Sequence, residues 1–593
     1  MEVLKAFVED HAAALTGGIL SLMVIELIRS KVNPAYVFAA VVFLFVLFGY
    51  LSVDDILNAA ITKSILSIFI VVALSSIINK HIDLGAYFDQ LLGKITSPIL
   101  FLGLLGGLVA LISSVFNNTP VVIILIPYVM KKAELYGVSP AKFLIPLSFA
   151  AILGGMLTLI GTSTNLVLNG LMQSKGLAEF AFFDFLLPGL CVVFIGVLYL
   201  ITFGYRLLPT HSLSFTKKRD EVRKYFIEAR IGAQSSLNGL SIAESGLKDL
   251  KGVSLIELVR GDRSFEVVAS RNMILQEHDR LIFSGSLNDV MEINSEARKL
   301  EFIAEKRLAQ DNKLEFIEIS IPTNSSLDGK KVRETNFRQR YGATILAVHR
   351  NSEDLSGRIG EMQLKSGDLL IVVPHVNLSE ALRSDFYILS NVRQEQVSKP
   401  QKIKLIAGLL AIIAGAVILN LNLFLSLALI LSWVVLMRFT TIEEIKNEFR
   451  FNLYVILVAS ILVGEVFISS GLADMVSSWI LQAVMPFGFN GIVLGLMLFT
   501  TLLTSFITNV AAVSIAFPLA YSISASTGIP GEALFLAVAF AASAAFMTPI
   551  GYQTNLLIMA PGDYKFNDFF KIGAPLTLLY LVVVWGYLNI IYA

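Results

Sequence analysis

The chain has 593 residues, 55% of them hydrophobic and 16% charged, with a mean hydropathy of +0.72. This excludes a soluble globular protein of that size and requires an integral membrane protein. Charge balances at 46 basic against 46 acidic residues, so no basic excess points to nucleic acid. The single cysteine, Cys191, excludes an intrachain disulfide and, within an apolar run, reads as a small buried hydrophobe.

Met1 to Asp10 carries Glu2, Glu9 and Asp10 against one lysine. It lacks the basic start of a cleavable signal, so the first apolar run is expected to remain as a helix. Runs suited to membrane helices then follow at Ala12 to Ile28, Pro34 to Leu51, Ile61 to Ile78, Ile99 to Ile112, Phe143 to Ile160 and Leu190 to Leu208. The second half repeats the style at Ile403 to Leu421, Leu423 to Met437, Leu453 to Ser470, Ile492 to Ile507 and Ala574 to Tyr592. Together they predict about ten to twelve crossings in two sets. Arg29 and Lys31, and later Lys131, Lys132 and Lys142, favour a cytoplasmic side for their loops. Glu26 and Glu465 are the carboxylates in apolar runs, and both read as interface anchors.

Most of the charge falls between Arg206 and Lys402, where alternating segments at Val253 to Val259, Leu281 to Phe283, Ile345 to Val348 and Leu369 to Val373 read as strands of a soluble α+β insert. The insert repeats itself. Ser235-Ser236-Leu237-Asn238-Gly239 recurs as Ser325-Ser326-Leu327-Asp328-Gly329, Arg260 aligns with Arg350, and Asp279-Arg280-Leu281 with Asp368-Leu369-Leu370. The order of these pieces resembles the C-terminal (TrkA-C) module of potassium-conductance regulators, which implies a pair of modules that bind an unidentified small ligand or hold a dimer together. No Gly-x-Gly-x-x-Gly follows a strand, so NAD is not expected.

The membrane halves carry a doubled motif. Asn117-Asn118-Thr119-Pro120 precedes Gly161-Thr162-Ser163-Thr164-Asn165, and Thr508-Asn509-Val510 precedes Gly551-Tyr552-Gln553-Thr554-Asn555. Equivalent asparagines lie 47 residues apart in the first copy (165 minus 118) and 46 in the second (555 minus 509). Amides, hydroxyls and exposed carbonyls at membrane depth are costly unless they line a cavity or hold an ion. Ser113 and Asn117, one helical turn apart, should face the same way, and Pro120 should weaken the helix past Asn118. Ser113, Asn117, Asn118 and Gly161, and in the second copy Thr504, Thr508, Asn509 and Gly551, are therefore candidate oxygen donors to a cation such as sodium. Helix N-termini freed by the breaks suit an anion.

These motifs resemble the divalent anion:sodium symporter family of sulfate and dicarboxylate transporters, whose signature is Ser-Asn-Thr in each repeat, with sodium at each copy and the substrate between. Asn118, Asn509 and Thr119 match it, while Val510 stands where the second threonine would hold a carboxylate. The resemblance implies a polytopic α-helical membrane protein. Two inverted repeats with broken helices and re-entrant hairpins span 1–208 and 401–593, and a cytosolic insert forms two modules, 209–305 and 306–400. It also implies a homodimer in a cell membrane working by elevator motion, and an anion contacted by Asn118, Thr119, Thr162, Ser163, Asn509, Val510 and Tyr552. Because Val510 cannot donate a hydrogen bond, a compact anion, sulfate, is expected ahead of a dicarboxylate. A ligand-gated channel is the competing class, but no carbonyl-lined filter of the Thr-Val-Gly-Tyr-Gly type occurs. No catalytic constellation of an enzyme is apparent.

Overall fold

The computed structural model describes residues 11–29, 32–81, 84–209, parts of 225–388 and, apart from 448 and 450, 422–593, with a few isolated positions before 422. Most of the expected span Ile403 to Leu421 lies outside the described residues.

After α1 (Ala12–Arg29), the first half runs α2 (Pro34–Leu47), α3 (Val53–Ala60), α4 (Lys63–His81), α5 (Leu84–Leu92), α6 (Pro98–Ser113), α7 (Asn118–Leu135), α8 (Leu144–Gly155), α9 (Ser163–Ser174) and α10 (Leu186–Tyr199). The second half runs α11 (Leu423–Leu436), α12 (Ile442–Asn447), α13 (Phe451–Ser469), α14 (Leu472–Val484), α15 (Gly488–Phe506), α16 (Asn509–Thr527), α17 (Gly531–Ala542), α18 (Gln553–Met559) and α19 (Phe566–Tyr592). The order repeats element for element. α2 and α11 both have 14 residues, α4 and α13 both 19, and α8 and α17 both 12. An internal proline, Pro127 or Pro518, sits at the same place in α7 and α16.

Among the described residues seven helices are long and apolar enough to cross a membrane, eight if α7 and the bent segment after it, turned by 115°, count as one span. Of the expected ten to twelve, most of the run Ile403 to Leu421 lies outside the described residues, and several other apolar helices, such as α2, α6 and α17, are too short to span alone. Cys191, expected to be buried, is exposed instead. It lies on α10 beside the exposed Leu187, Leu190 and Phe194, an apolar face that matches lipid hydrocarbon and needs no protein cover. Glu26 pairs with Arg29 at 3.5 Å, one turn away, while Glu465 reaches across the halves to Lys175 at 4.0 Å.

Backbone approaches at the breaks demand glycine. A Cβ on Gly189 of α10 would fall 2.6 Å from the Met156 carbonyl, and one on Gly573 of α19 would fall 2.0 Å from the Phe546 carbonyl. Each half thus lays a glycine of its last helix onto its second break, where only a missing side chain lets two backbones meet.

The insert forms one nine-stranded sheet from β1 (Tyr225–Ile231), β2 (Val253–Arg260), β3 (Arg263–Glu266), β4 (Arg280–Gly285), β5 (Leu300–Phe302), β6 (Ile317–Ser320), β7 (Ala343–His349), β8 (Leu369–Pro374) and β9 (Tyr387–Ile388). Its order is β3-β2-β4-β1-β7-β8-β6-β9, with β5 also on β1. β1 carries the join, because it pairs with β4 along its length and with β7 at Phe226 and Ile227. The sequence repeat is a geometric repeat. Arg260 grips Asp279 with Nε at 2.7 Å and Nη2 at 2.6 Å, and Arg350 grips Asp368 with both at 2.6 Å. Each arginine also donates to a nearby carbonyl, of Ile274 or Gln363. The turn glycines Gly239 and Gly329 have φ of 83° and 78°, a conformation costly for other residues.

Candidate functional site

Each half contains two interruptions, and all four release a helix N-terminus. α7 starts after Asn117, whose side chain accepts from Thr119 N, and α16 after Thr508, whose hydroxyl accepts from Ala511 N. α9 starts after Thr162, which accepts from Thr164 N, and α18 after Tyr552, which makes no cap bond with its side chain. Asn117 and Thr508 are thus N-caps, so each spends a side-chain oxygen on its own helix. Ser113 ends α6 and Asn117 lies beyond the break, so the two do not share a helical face as their spacing suggested. Pro120 falls in the first turn of α7, where its missing N–H would have no partner, so the break precedes Asn118 rather than following it.

The short helices after the second breaks cross over. α9 packs on α16, and α18 on α7 and α8. Side chains seal the crossing, since Ser148 of α8 bonds Thr554 at 2.6 Å and Asn555 at 2.7 Å.

Each break is held by the same bonds. Asn165 Nδ2 donates to the Thr158 carbonyl at 3.2 Å, and Asn555 Nδ2 to the Thr548 carbonyl at 3.2 Å. The Thr158 hydroxyl donates to the Ser114 carbonyl, and that of Thr548 to the Ser505 carbonyl. These partners differ by 390 or 391 in number, the offset that relates Asn118 to Asn509. Residues outside the doubled motif, Thr158, Thr548 and Ser148, therefore build the site. Thr548 opens the run Thr548-Pro549-Ile550-Gly551 of the second copy, and the recurrence of a threonine seven residues before Asn165 and Asn555 flags Thr158 with it.

The first asparagines differ between halves. Asn118, 1% exposed, donates Nδ2 to the Tyr552 hydroxyl at 2.8 Å, and its Oδ1 has no hydrogen-bond partner within the protein. The fully buried Ser113 Oγ has none either. A Cβ on Gly155 would lie 2.9 Å from Asn118 Nδ2 and 3.3 Å from the Gly161 carbonyl, and one on Gly161 would lie 2.6 Å from the Gly155 carbonyl. Glycine at both positions lets two main-chain oxygens and the Asn118 amide gather.

In the second half Thr504 Oγ1 lies 2.8 Å from Asn509 Oδ1 and 2.6 Å from the Ala542 carbonyl, and it is the Asn509 Nδ2 that lacks a partner. Gly551 sits against Thr504, where a Cβ would come 2.9 Å from the Thr504 carbonyl. Thr119 Oγ1 reaches Gln553 Oε1 at 3.4 Å, and Tyr552 also bonds the Thr162 side chain. Val510 is buried at the start of α16 beside Asn509, and Ser163 opens α9 half-buried. Of the expected substrate residues of the first half, Asn118 and Thr162 thus meet Tyr552 and Thr119 meets Gln553, both supplied by the second half, while second-half oxygens gather around Thr504. In the first half two buried oxygens, Ser113 Oγ and Asn118 Oδ1, have no partner within the protein, which is chemistry suited to a desolvated hard cation.

The chain is 31% identical over 506 residues to an uncharacterized transporter of Synechocystis, covering 80% of each protein. It is 29% identical to a putative sulfur deprivation response regulator of Chlamydomonas reinhardtii over 79% of this chain and 83% of that one. A probable sodium/sulfate cotransporter of the same alga is 31% identical over 47% of this chain and 33% of its own length. The family model described as a citrate transporter, CitMHS, matches residues 22–480 and again 417–593, and with it the chain belongs to the CitMHS family of membrane transporters.

Proposed function

We propose that the protein is a secondary active transporter that takes up a small divalent anion, sulfate, driven by sodium. The observation that carries this reading is the pair of matched breaks at Asn118 and Asn509, where buried oxygens of the first are left without a partner and those of the second crowd one hydroxyl. At the second break Thr504 has one hydroxyl proton for two acceptors, Asn509 Oδ1 and the Ala542 carbonyl, both within 2.8 Å. At the first, neither Ser113 Oγ nor Asn118 Oδ1 has a hydrogen-bond partner within the protein. A sodium ion at each would supply the missing charge, with Ser113, Asn117, Asn118 and Gly161 on one side and Thr504, Thr508, Asn509 and Gly551 on the other.

The anion would lie between them, on the N-termini of α7, α9, α16 and α18, touched by Asn118, Thr119, Thr162, Ser163, Asn509, Val510 and Tyr552. N–H groups and helix dipoles stabilise negative charge there. In this reading the two halves, 1–208 and 401–593, are inverted repeats with re-entrant hairpins. They alternate access by elevator motion within a homodimer of the cell membrane. The modules 209–305 and 306–400 are TrkA-C-like, face the cytoplasm and adjust the cycle by binding a small ligand. The relatives named sodium/sulfate cotransporters support both the ion and the anion.

The citrate description of the family favours a second reading, sodium-coupled carboxylate transport. Val510, which offers no hydrogen bond, weighs against it. Radiolabelled sulfate uptake into proteoliposomes, with and without an inward sodium gradient and with succinate, citrate and phosphate as competitors, tests both. Sodium-dependent sulfate uptake that carboxylates do not inhibit supports sulfate. Uptake of a carboxylate without sulfate replaces the first reading with the second.

A further inference from the structure

Tyr552 and Thr162 hold the same place in the two halves. Each is the residue before the helix that follows a second break, and their backbones match, at φ −138° and ψ 144° for Thr162 and φ −145° and ψ 138° for Tyr552. Their side chains do different work. Thr162 caps its own helix, whereas Tyr552 gives up the cap, a bond worth about 1 kcal/mol at such positions, and crosses to the other half.

There its hydroxyl takes the Asn118 amide at 2.8 Å and meets Thr162, while the next residue, Gln553, accepts from Thr119 at 3.4 Å. Two side-chain donors that the first half could offer an anion, Asn118 Nδ2 and the Thr119 hydroxyl, are therefore both engaged by the N-terminus of α18. With Asn118 as its donor, the phenol keeps its own proton to give. The ring is longer than the threonine at the equivalent position and reaches across to Asn118, beside which the proposed anion would lie.

Resting on the sulfate reading above, we infer that Tyr552 is the specificity element of the anion site: its ring limits the site to compact anions, and its hydroxyl donates to the anion it admits. Loss of one hydrogen bond to a charged group raises KM roughly tenfold.

The test uses full-length protein in proteoliposomes, with labelled sulfate and labelled succinate, for wild type, Tyr552→Phe and Tyr552→Thr, each verified as folded by size-exclusion chromatography. Wild type is expected to carry sulfate and refuse succinate. Tyr552→Phe, which keeps the ring, should show a roughly tenfold higher KM for sulfate and still refuse succinate. Tyr552→Thr, which restores the residue of the other half, should carry succinate. An unchanged KM in Tyr552→Phe, or refusal of succinate by folded Tyr552→Thr, overturns the inference while wild-type sulfate uptake stands. Where Tyr552→Thr does not fold, Tyr552→Ser takes its place in the succinate assay, with the same outcomes. Absence of sodium-dependent sulfate uptake in wild type overturns the sulfate reading and this inference with it.

Discussion

The Thr504 hydroxyl lies 2.8 Å from the amide oxygen of Asn509, a bond that the equivalent pair in the first half, Ser113 and Asn118, does not make. The second break thus partly satisfies itself, and the first leaves two buried oxygens for an added charge. Asn118→Ala and Asn509→Ala should each abolish sodium-dependent uptake while the protein still elutes as a folded species. Thr504→Val, which removes one oxygen and leaves the asparagine in place, should raise the sodium concentration needed for half-maximal uptake. Sodium titrations of the four proteins check this, and uptake retained by both asparagine variants would remove these residues from the site.

Gly155 has no side chain because Asn118 fills that space. A Cβ there would stand 2.9 Å from Asn118 Nδ2, so the amide has to leave the Tyr552 hydroxyl. Gly155→Ala is therefore expected to lower the transport rate by an order of magnitude or more, roughly the loss of one to two buried hydrogen bonds. Gly107, one turn and more before the first break, has no atom within 4 Å of the same added carbon. Gly107→Ala should leave the rate unchanged and, by helix propensity, stabilise slightly. Equal rates in the two variants would show that the space beside Asn118 is not critical.

Ser148 ties the halves together from inside α8. Its hydroxyl, fully buried, lies within 2.7 Å of both Thr554 Oγ1 and Asn555 Oδ1. Ser148→Ala leaves those oxygens without a donor at that point, at a cost of about 1 to 3 kcal/mol. A lowered thermal midpoint in detergent with sodium dependence preserved is the expected result. An unchanged midpoint would mean the two oxygens find other partners.

The doubled motif was legible because asparagine, threonine and glycine are conspicuous in apolar sequence, and each copy keeps nearly the same interval. The membrane class and the repeated style of the halves followed from hydropathy alone. Three things did not. The position of the first break was misjudged because Pro120 weakens a helix interior but suits a first turn, and only the caps at Asn117 and Thr508 show where α7 and α16 begin. The crossing of α18 onto α7 joins residues 434 apart, Asn118 with Tyr552, and no local pattern announces such a contact. Cys191 was placed inside because apolar surroundings in sequence do not distinguish a protein core from a face suited to lipid. In the insert, by contrast, the aligned pairs Arg260 with Arg350 and Asp279 with Asp368 recur as bonded clasps, because duplication preserved both partners and their spacing together.

Those clasps give the last prediction. Asp368 is 1% exposed at its side chain, and burial pushes its carboxyl up while Arg350 draws it back down. Removing the guanidinium leaves a buried carboxylate without its counter-charge, which costs about 3 to 5 kcal/mol. Arg350→Met should therefore destabilise the second module strongly, and Arg350→Met combined with Asp368→Leu should recover much of the loss, because no charge then remains to be buried. The pH dependence has a definite sign. With Arg350 gone the folded-state pKa of Asp368 rises further above its unfolded value, so the deficit is largest above that raised pKa. It shrinks as pH falls toward the ordinary carboxylate range, where both states are protonated. Thermal unfolding of the full chain in detergent between pH 5 and pH 8, a range spanning the window about a raised carboxylate, measures this. A deficit in Arg350→Met that does not change with pH would show that the arginine contributes through packing rather than through its charge.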